Sequence, residues 1–284
     1  MPETTGTIGP LITVDELHQL ITDDPAAVVV LDSRWNLGGP DGREEFESGH
    51  VPGARWVDLE TELSGPAGAG GRHPLPPYQV FAHGMRRVGV EETVPVVITD
   101  GGSTLPAARL WWMLTDAGHR DIRVLDGGFA AWVAAGLPVE TGPDEPVAPS
   151  EFAGHPGRRR SVDVDAVAAG LGHGATLVDV RAHERFVGAT EPIDPKAGHI
   201  PGAVNAPSTQ NFRPDGRFRP AAELRSVFDD LEVDSAAVVY CGSGITACQT
   251  LLAMEVAGID GGTLFAGSWS SWVADPHRPI ATGP

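Results

Sequence analysis

The 284-residue chain carries one pattern twice, and this repetition limits its fold more than any other feature. Val28-Val29-Val30-Leu31-Asp32-Ser33-Arg34 is answered by Thr176-Leu177-Val178-Asp179-Val180-Arg181. Gly49-His50-Val51-Pro52-Gly53-Ala54 returns as Gly198-His199-Ile200-Pro201-Gly202-Ala203. Val96-Val97-Ile98-Thr99-Asp100-Gly101-Gly102-Ser103 returns as Val238-Val239-Tyr240-Cys241-Gly242-Ser243. Each half closes alike, with Gly127-Gly128-Phe129-Ala130-Ala131-Trp132 and Gly267-Ser268-Trp269-Ser270-Ser271-Trp272. A period of domain size means a duplicated domain rather than a solenoid. We place the domains at 1–140 and 161–284. The Pro- and Gly-rich stretch 141–160 is a linker that ends in Arg158-Arg159-Arg160, a run read as a solvated surface rather than a docking patch.

Each half alternates short apolar runs with helical patterns. Val28–Leu31, Val96–Thr99 and Ile122–Leu125 in the first half have the length and composition of buried parallel strands. Leu177–Val180, Ala237–Tyr240 and Thr263–Ala266 do so in the second. Thr13-Val14-Asp15-Glu16 is a capping box ahead of Leu17, Leu20 and Ile21, so a helix starts there. The expectation is an α/β fold: tandem domains, each a parallel sheet flanked by helices. Sites in such sheets lie at the C-terminal ends of strands.

Cys241 is in that place. An apolar strand enters the cysteine, a small-residue loop follows, and a helix is expected over Ala247–Ala257. Gly242 and Gly244 let the loop curl, so that several amide N–H groups point at the sulfur together with the positive end of the helix. Both effects favour thiolate, the nucleophilic form. Cys248 lies within the expected helix and reads as a small core residue; the rival reading is a resolving thiol.

The charge of −18 argues against nucleic acid and anionic membranes as partners. No apolar run approaches membrane-spanning length, and Met1–Pro10 lacks the apolar core of a signal peptide. Two cysteines do not make a disulfide framework, so a reducing cytoplasm is expected. The histidines show no ligand spacing, so no metal is expected.

The ordered motifs Asp-x-Arg, Gly-His-[Val/Ile]-Pro-Gly-Ala and strand-cysteine-loop resemble the two-domain rhodanese superfamily over nearly the whole chain. The loop Cys241-Gly242-Ser243-Gly244-Ile245-Thr246-Ala247 resembles its 3-mercaptopyruvate sulfurtransferase branch. The resemblance implies two rhodanese-like domains with one site between them, and no metal or organic cofactor. It implies that Cys241 takes sulfur from a small donor as a persulfide and passes it to a thiol, a thioredoxin-like protein or cyanide. The loop residues Gly242, Gly244, Ile245 and Thr246 would bind substrate. Ser243 matches a serine that, with a histidine and an acid of the first domain, forms a relay; His73 and Glu60 match those partners, with Glu60 where the family has aspartate. Arg185 matches an arginine that grips the donor's carboxylate. The family's second arginine is missing from Glu191–Lys196, where Lys196 is the nearest cation. The neutral loop favours 3-mercaptopyruvate over thiosulfate, which remains the alternative.

Asp100 stands where the first half would need its cysteine. A carboxylate cannot carry sulfane sulfur, so the first domain is expected to be inactive and to wall the site. Its retained copies of the other motifs argue that His50, His199 and the pairs Asp32/Arg34 and Asp179/Arg181 are structural. His73 has no twin, which favours a site role over the rival reading of a surface histidine. Trp35, Trp269 and Trp272 read as core, with pocket lining as the rival reading. Two other classes compete. A cysteine phosphatase would need an arginine at position 247, which is alanine. A non-turnover sulfur-carrier module would share the persulfide but not turn over a small donor.

Overall fold

The structure, a computed structural model, describes residues 9–170 and 174–284. Most of the N-terminal stretch weighed as a leader, residues 1–8, lies outside the described residues. The first domain holds β1 (Leu11–Ile12), α1 (Val14–Asp23), β2 (Val29–Asp32), α2 (Gly42–Ser48), β3 (Arg55–Trp56), α3 (Tyr78–Arg87), β4 (Val96–Thr99), α4 (Leu105–Asp116), β5 (Ile122–Leu125) and α5 (Gly128–Ala134). The second repeats the order with β6 (Arg160–Val162), α6 (Val164–Gly170), β7 (Leu177–Asp179), α7 (His183–Phe186), β8 (Val204–Asn205), α8 (Ala221–Asp230), β9 (Val238–Tyr240), α9 (Ile245–Val256), β10 (Thr263–Phe265) and α10 (Ser268–Trp272).

Each domain is a five-stranded parallel sheet, in the orders β1-β5-β4-β2-β3 and β6-β10-β9-β7-β8. The central strands are the expected apolar runs, shifted by a residue at most. β2 and β4 are buried at every position, as strands covered on both faces must be. The capping box is formed: Thr13 Oγ1 accepts from the Glu16 amide at 3.3 Å, and the Glu16 carboxylate accepts from the Thr13 amide at 2.9 Å.

The duplicated motifs are structural fasteners. Arg34 donates to the Asp32 carboxylate and, at 2.7 Å, to the Gly49 carbonyl. Arg181 repeats this with Asp179 and the Gly198 carbonyl. Each pair ties the end of a central strand to the Gly-His turn. There, His50 stacks on Phe46 at 3.9 Å and His199 on Phe186 at 3.7 Å.

The domains meet through α4 and α9, the helices that follow the Asp100 and Cys241 loops, and they share one continuous core. Gln249 Nε2 on α9 donates to the Ser103 carbonyl at 2.7 Å, and the Phe218 amide donates to Asp126 at 2.9 Å. The arginine run is not simply solvated. Arg159 lies 4.6 Å over the Trp111 ring and pairs with Glu255, joining the first domain to α9. Burial of Trp111 provides the platform the sequence pattern did not show.

Candidate active site

β9 ends at Tyr240, and the loop Cys241–Gly244 carries the chain into α9. Gly244 turns it with φ +85°, so α9 starts at Ile245, two residues earlier than expected. Cys241 is 2% exposed. Its Sγ accepts from the Gly244 amide at 3.1 Å, at the N-terminus of the 12-residue α9. That is a single amide at hydrogen-bonding distance, not several. The second polar neighbour is Ser268, whose Oγ lies 3.9 Å from Sγ and accepts from the Cys241 amide at 3.1 Å. The single Ser268 hydroxyl proton has a nearer acceptor in the Phe265 carbonyl at 2.9 Å, so Ser268 fastens the cysteine's backbone. The Trp269 and Ser270 amides donate to the Cys241 and Gly242 carbonyls at 2.9 and 3.0 Å.

A loop of the first domain closes the other side. His73 Nδ1 lies 2.9 Å from Ser243 Oγ, and its Nε2 lies 3.5 Å from Glu60 Oε1. The same Glu60 oxygen accepts from Trp35 Nε1 at 2.7 Å, and the Trp35 ring meets His73 edge-on at 5.3 Å. The extra methylene of Glu60 therefore keeps its carboxylate within reach of the imidazole. Trp35, for which core was the first reading and pocket lining the second, is a half-buried wall of the site. Trp269 and Trp272 are fully buried, as expected. Burial pushes the His73 imidazole below its ordinary range; Glu60 pulls it up, and Arg72 and Arg109 push it down.

Two arginines face the cysteine loop. A Cβ placed on Gly242 would lie 2.8 Å from Arg72 Nη2 and 3.5 Å from Arg185 Nη2, so both guanidiniums face the cysteine loop. Arg72 escaped the sequence reading. Its signal was a lone cation beside His73 at the end of the small-residue run Gly65–Gly71. Lys196 does not replace the missing arginine; its Nζ turns to the Pro276 carbonyl at 3.4 Å.

Ile245 packs into the shared core, and Thr246 is half-buried on the first turn of α9. Cys248 lies one turn into α9, fully buried, with Sγ 3.3 Å from the Gly244 carbonyl. Burial pushes its thiol up to about 11, which keeps it protonated and suits the core reading. In the first domain Asp100 accepts from the Gly102 amide at 2.7 Å and from Ser103 at 3.3 Å. Burial raises its carboxyl, and these hydrogen bonds oppose the rise.

Two parallel α/β domains with one buried cysteine on a strand-to-helix loop at their junction define a class built for covalent transfer at sulfur. The profile of the rhodanese-like domain matches residues 13–135 and 163–275, so the chain belongs to the rhodanese-like family. A Pseudomonas aeruginosa protein, provisionally named 3-mercaptopyruvate sulfurtransferase, is 43% identical over 282 residues, covering 96% of this chain and 98% of that one. A Mycobacterium tuberculosis protein, provisionally named thiosulfate sulfurtransferase SseB, is 43% identical over 281 residues, covering 96% and 97%. Among solved structures, the Escherichia coli 3-mercaptopyruvate enzyme SseA superimposes with a TM-score of 0.79 at 31% identity, covering 93% of this chain and 100% of that one. The tandem rhodanese fold and the sulfurtransferase class expected from the motifs are thereby borne out. Equal identity to proteins named for different donors leaves the choice of donor to the geometry of the site.

Proposed function

We propose that the protein is a 3-mercaptopyruvate sulfurtransferase that works through a Cys241 persulfide. The observation that carries this reading is the 2.9 Å contact of His73 Nδ1 with Ser243 Oγ across the domain junction, with Glu60 behind the imidazole. With Nε2–H turned to Glu60, Nδ1 is the acceptor and the Ser243 hydroxyl the donor. His73 and Ser243 then take a proton from the donor's thiol and return it to the departing carbon. Cys241 Sγ attacks the donor sulfur. The S–S bond forms and the C–S bond breaks. The electron pair goes to the enolate of pyruvate, which is protonated. Arg72 and Arg185 hold the donor's carboxylate, a task suited to planar guanidiniums.

In the second half-reaction a thiol attacks the outer sulfur and leaves with it, which restores Cys241; a small thiol, a thioredoxin-like protein or cyanide can act as acceptor. The residues that build the site supply these steps without a cofactor. Two free cysteines support a reducing, cytoplasmic setting. A second reading, thiosulfate as donor, has one observation in its favour: two guanidiniums face a cysteine loop that carries no cation of its own.

Steady-state kinetics with both donors, using cyanide as acceptor, test the proposal. A higher kcat/KM for 3-mercaptopyruvate is expected. A preference for thiosulfate sinks the donor assignment, and turnover of neither sinks the enzyme in favour of a carrier. Cys241→Ser is expected to abolish transfer while leaving the far-UV spectrum unchanged; residual turnover would remove Cys241 from the mechanism.

A further inference from the structure

The two guanidiniums that face Cys241 are already joined by a side chain of the protein. Asp194 pairs through Oδ1 with Arg72 of the first domain, and its Oδ2 lies 3.3 Å from Arg185 of the second. Its side chain is 4% exposed. Two neighbouring carboxylates are better served. Asp179 takes Nε and Nη2 of Arg181. Glu191 takes Arg185 at 2.6 and 3.0 Å, Arg181 at 3.2 Å, and the Ile193 and Asp194 amides at 3.1 Å each. These bonds overcome burial and hold the Glu191 carboxyl below its ordinary range. Asp194 is the reverse case. Burial, with Glu191 beside it, raises its carboxyl in spite of Arg72 and Arg185. Glu191 is thus a fixture, and Asp194 is the least satisfied anion of the cluster. Arg72 has capacity to spare, because its Nε is buried without a hydrogen-bond partner.

We propose that Asp194 is a resident carboxylate which occupies the Arg72–Arg185 pair in the free enzyme, yields it to the donor's carboxylate, and so selects among donors. The proposal rests on the sulfurtransferase reading above and adds a determinant of specificity. A donor with one carboxylate exchanges like for like at the arginines. A dianion such as thiosulfate brings a second negative charge into a site that still contains Glu191 and the displaced Asp194. Repulsion at such short range weighs against it. Asp194 therefore raises KM for every anionic donor, and most for the dianion.

The test compares wild type with Asp194→Asn, Asp194→Ser and Arg72→Lys, using 3-mercaptopyruvate and thiosulfate with cyanide as acceptor. In Asp194→Asn, KM is expected to fall about threefold for 3-mercaptopyruvate and about tenfold for thiosulfate. Asp194→Ser should move in the same direction. A gain in affinity is not what a damaged fold produces, so the expected result has no trivial source. A KM that rises in both variants, or stays unchanged, overturns the proposal and makes Asp194 a mere strut for the arginines. An equal fall for the two donors overturns its role in selection. Arg72→Lys should raise KM for 3-mercaptopyruvate. If it does not, the arginine pair is not the carboxylate site, a failure separate from that of Asp194. Turnover of neither donor by wild type would instead remove the underlying enzyme reading.

Discussion

Single side chains decide the chemistry of this site. Ser243 can pass a proton only if His73 is neutral, and burial keeps it so below the ordinary histidine value of about 6.5. The sign follows: activity that depends on a neutral imidazole persists as pH falls through that value, and is lost only at lower pH. The acid limb of kcat/KM for 3-mercaptopyruvate should therefore lie below pH ~6.5, and Ser243→Ala should lower the plateau about tenfold or more. Thiosulfate has no thiol proton to move, so its turnover should change less. A profile recorded from pH 4.5 to 9 with both donors checks this; equal losses would take the relay out of the mechanism. Gly244 decides the geometry. Its φ is +85°, and a Cβ there would sit 2.3 Å from the Ala266 carbonyl oxygen. The left-handed backbone alone costs about 1–2 kcal/mol for an alanine, and the overlap adds about 1–3 kcal/mol. Gly244→Ala is expected to lose ~2–5 kcal/mol in urea unfolding. A loss within experimental error would show that the loop is softer than its packing implies.

Elements follow from sequence when their signal is local. The apolar runs of β4 and β5 and the capping box of α1 carry their own periodicity or cap chemistry, and they fold as read. The outer strands β1, β3 and β8 are two residues long, too short to show any alternation, and only pairing with a central strand defines them. The cysteine loop was legible for the same reason as β4: strand, cysteine and glycines are contiguous. His73 stood out by having no twin, Ser243, Glu60 and Arg185 were legible only through family resemblance, and Arg72 not at all, because its role arises from contacts across the domain junction. Arg109 on α4 is the extreme case. It is fully buried and donates to the Leu63, His73 and Gly244 carbonyls at 3.2, 3.1 and 3.5 Å. Among the described residues no carboxylate lies within ion-pairing distance of it. One guanidinium thus positions the His73 segment against the cysteine loop. Arg109→Met leaves the Leu63 and His73 carbonyls short of a donor, each worth about 1–3 kcal/mol, while the Gly244 carbonyl keeps the Cys248 thiol, and the change relieves a buried charge that is itself costly. The two terms oppose each other in stability and not in positioning. The expected result is a loss of kcat/KM of about tenfold or more, with a smaller stability change of ~1–2 kcal/mol. Arg109→Lys keeps the charge but not the fork, so it should recover stability better than activity. Full activity in both variants would show that the loops hold their places without it.

At the scale of the whole molecule, the junction that makes the site also fuses the domains. One hydrophobic core runs from β2 and β4 through α4 and α9 to β9 and β10, whereas the outer faces have separate, smaller clusters. Trp111 and Trp112 on α4 are nearly fully buried within the shared core, and each large apolar side chain buried this way contributes about 1.5–3 kcal/mol. Neither domain can leave the other without exposing these faces together with His73, Arg72 and the cysteine loop. Duplicated domains joined by a linker would ordinarily be expected to unfold separately. Here a single transition is expected instead. The tryptophans make this measurable. Five of the seven lie in the first domain and two in the second, whereas Cys241 lies in the second. Fluorescence therefore reports mainly on the first domain, and the proposed sulfur transfer reports on the second. In urea the two signals should fall on one curve. Trp111→Ala, which opens a cavity beside Arg159 at the junction, should shift both midpoints together by ~3–5 kcal/mol of stability. Activity lost at a lower urea concentration than fluorescence would mean that the second domain unfolds on its own. The shared core would then be a contact between independent domains rather than the structure that holds the site together.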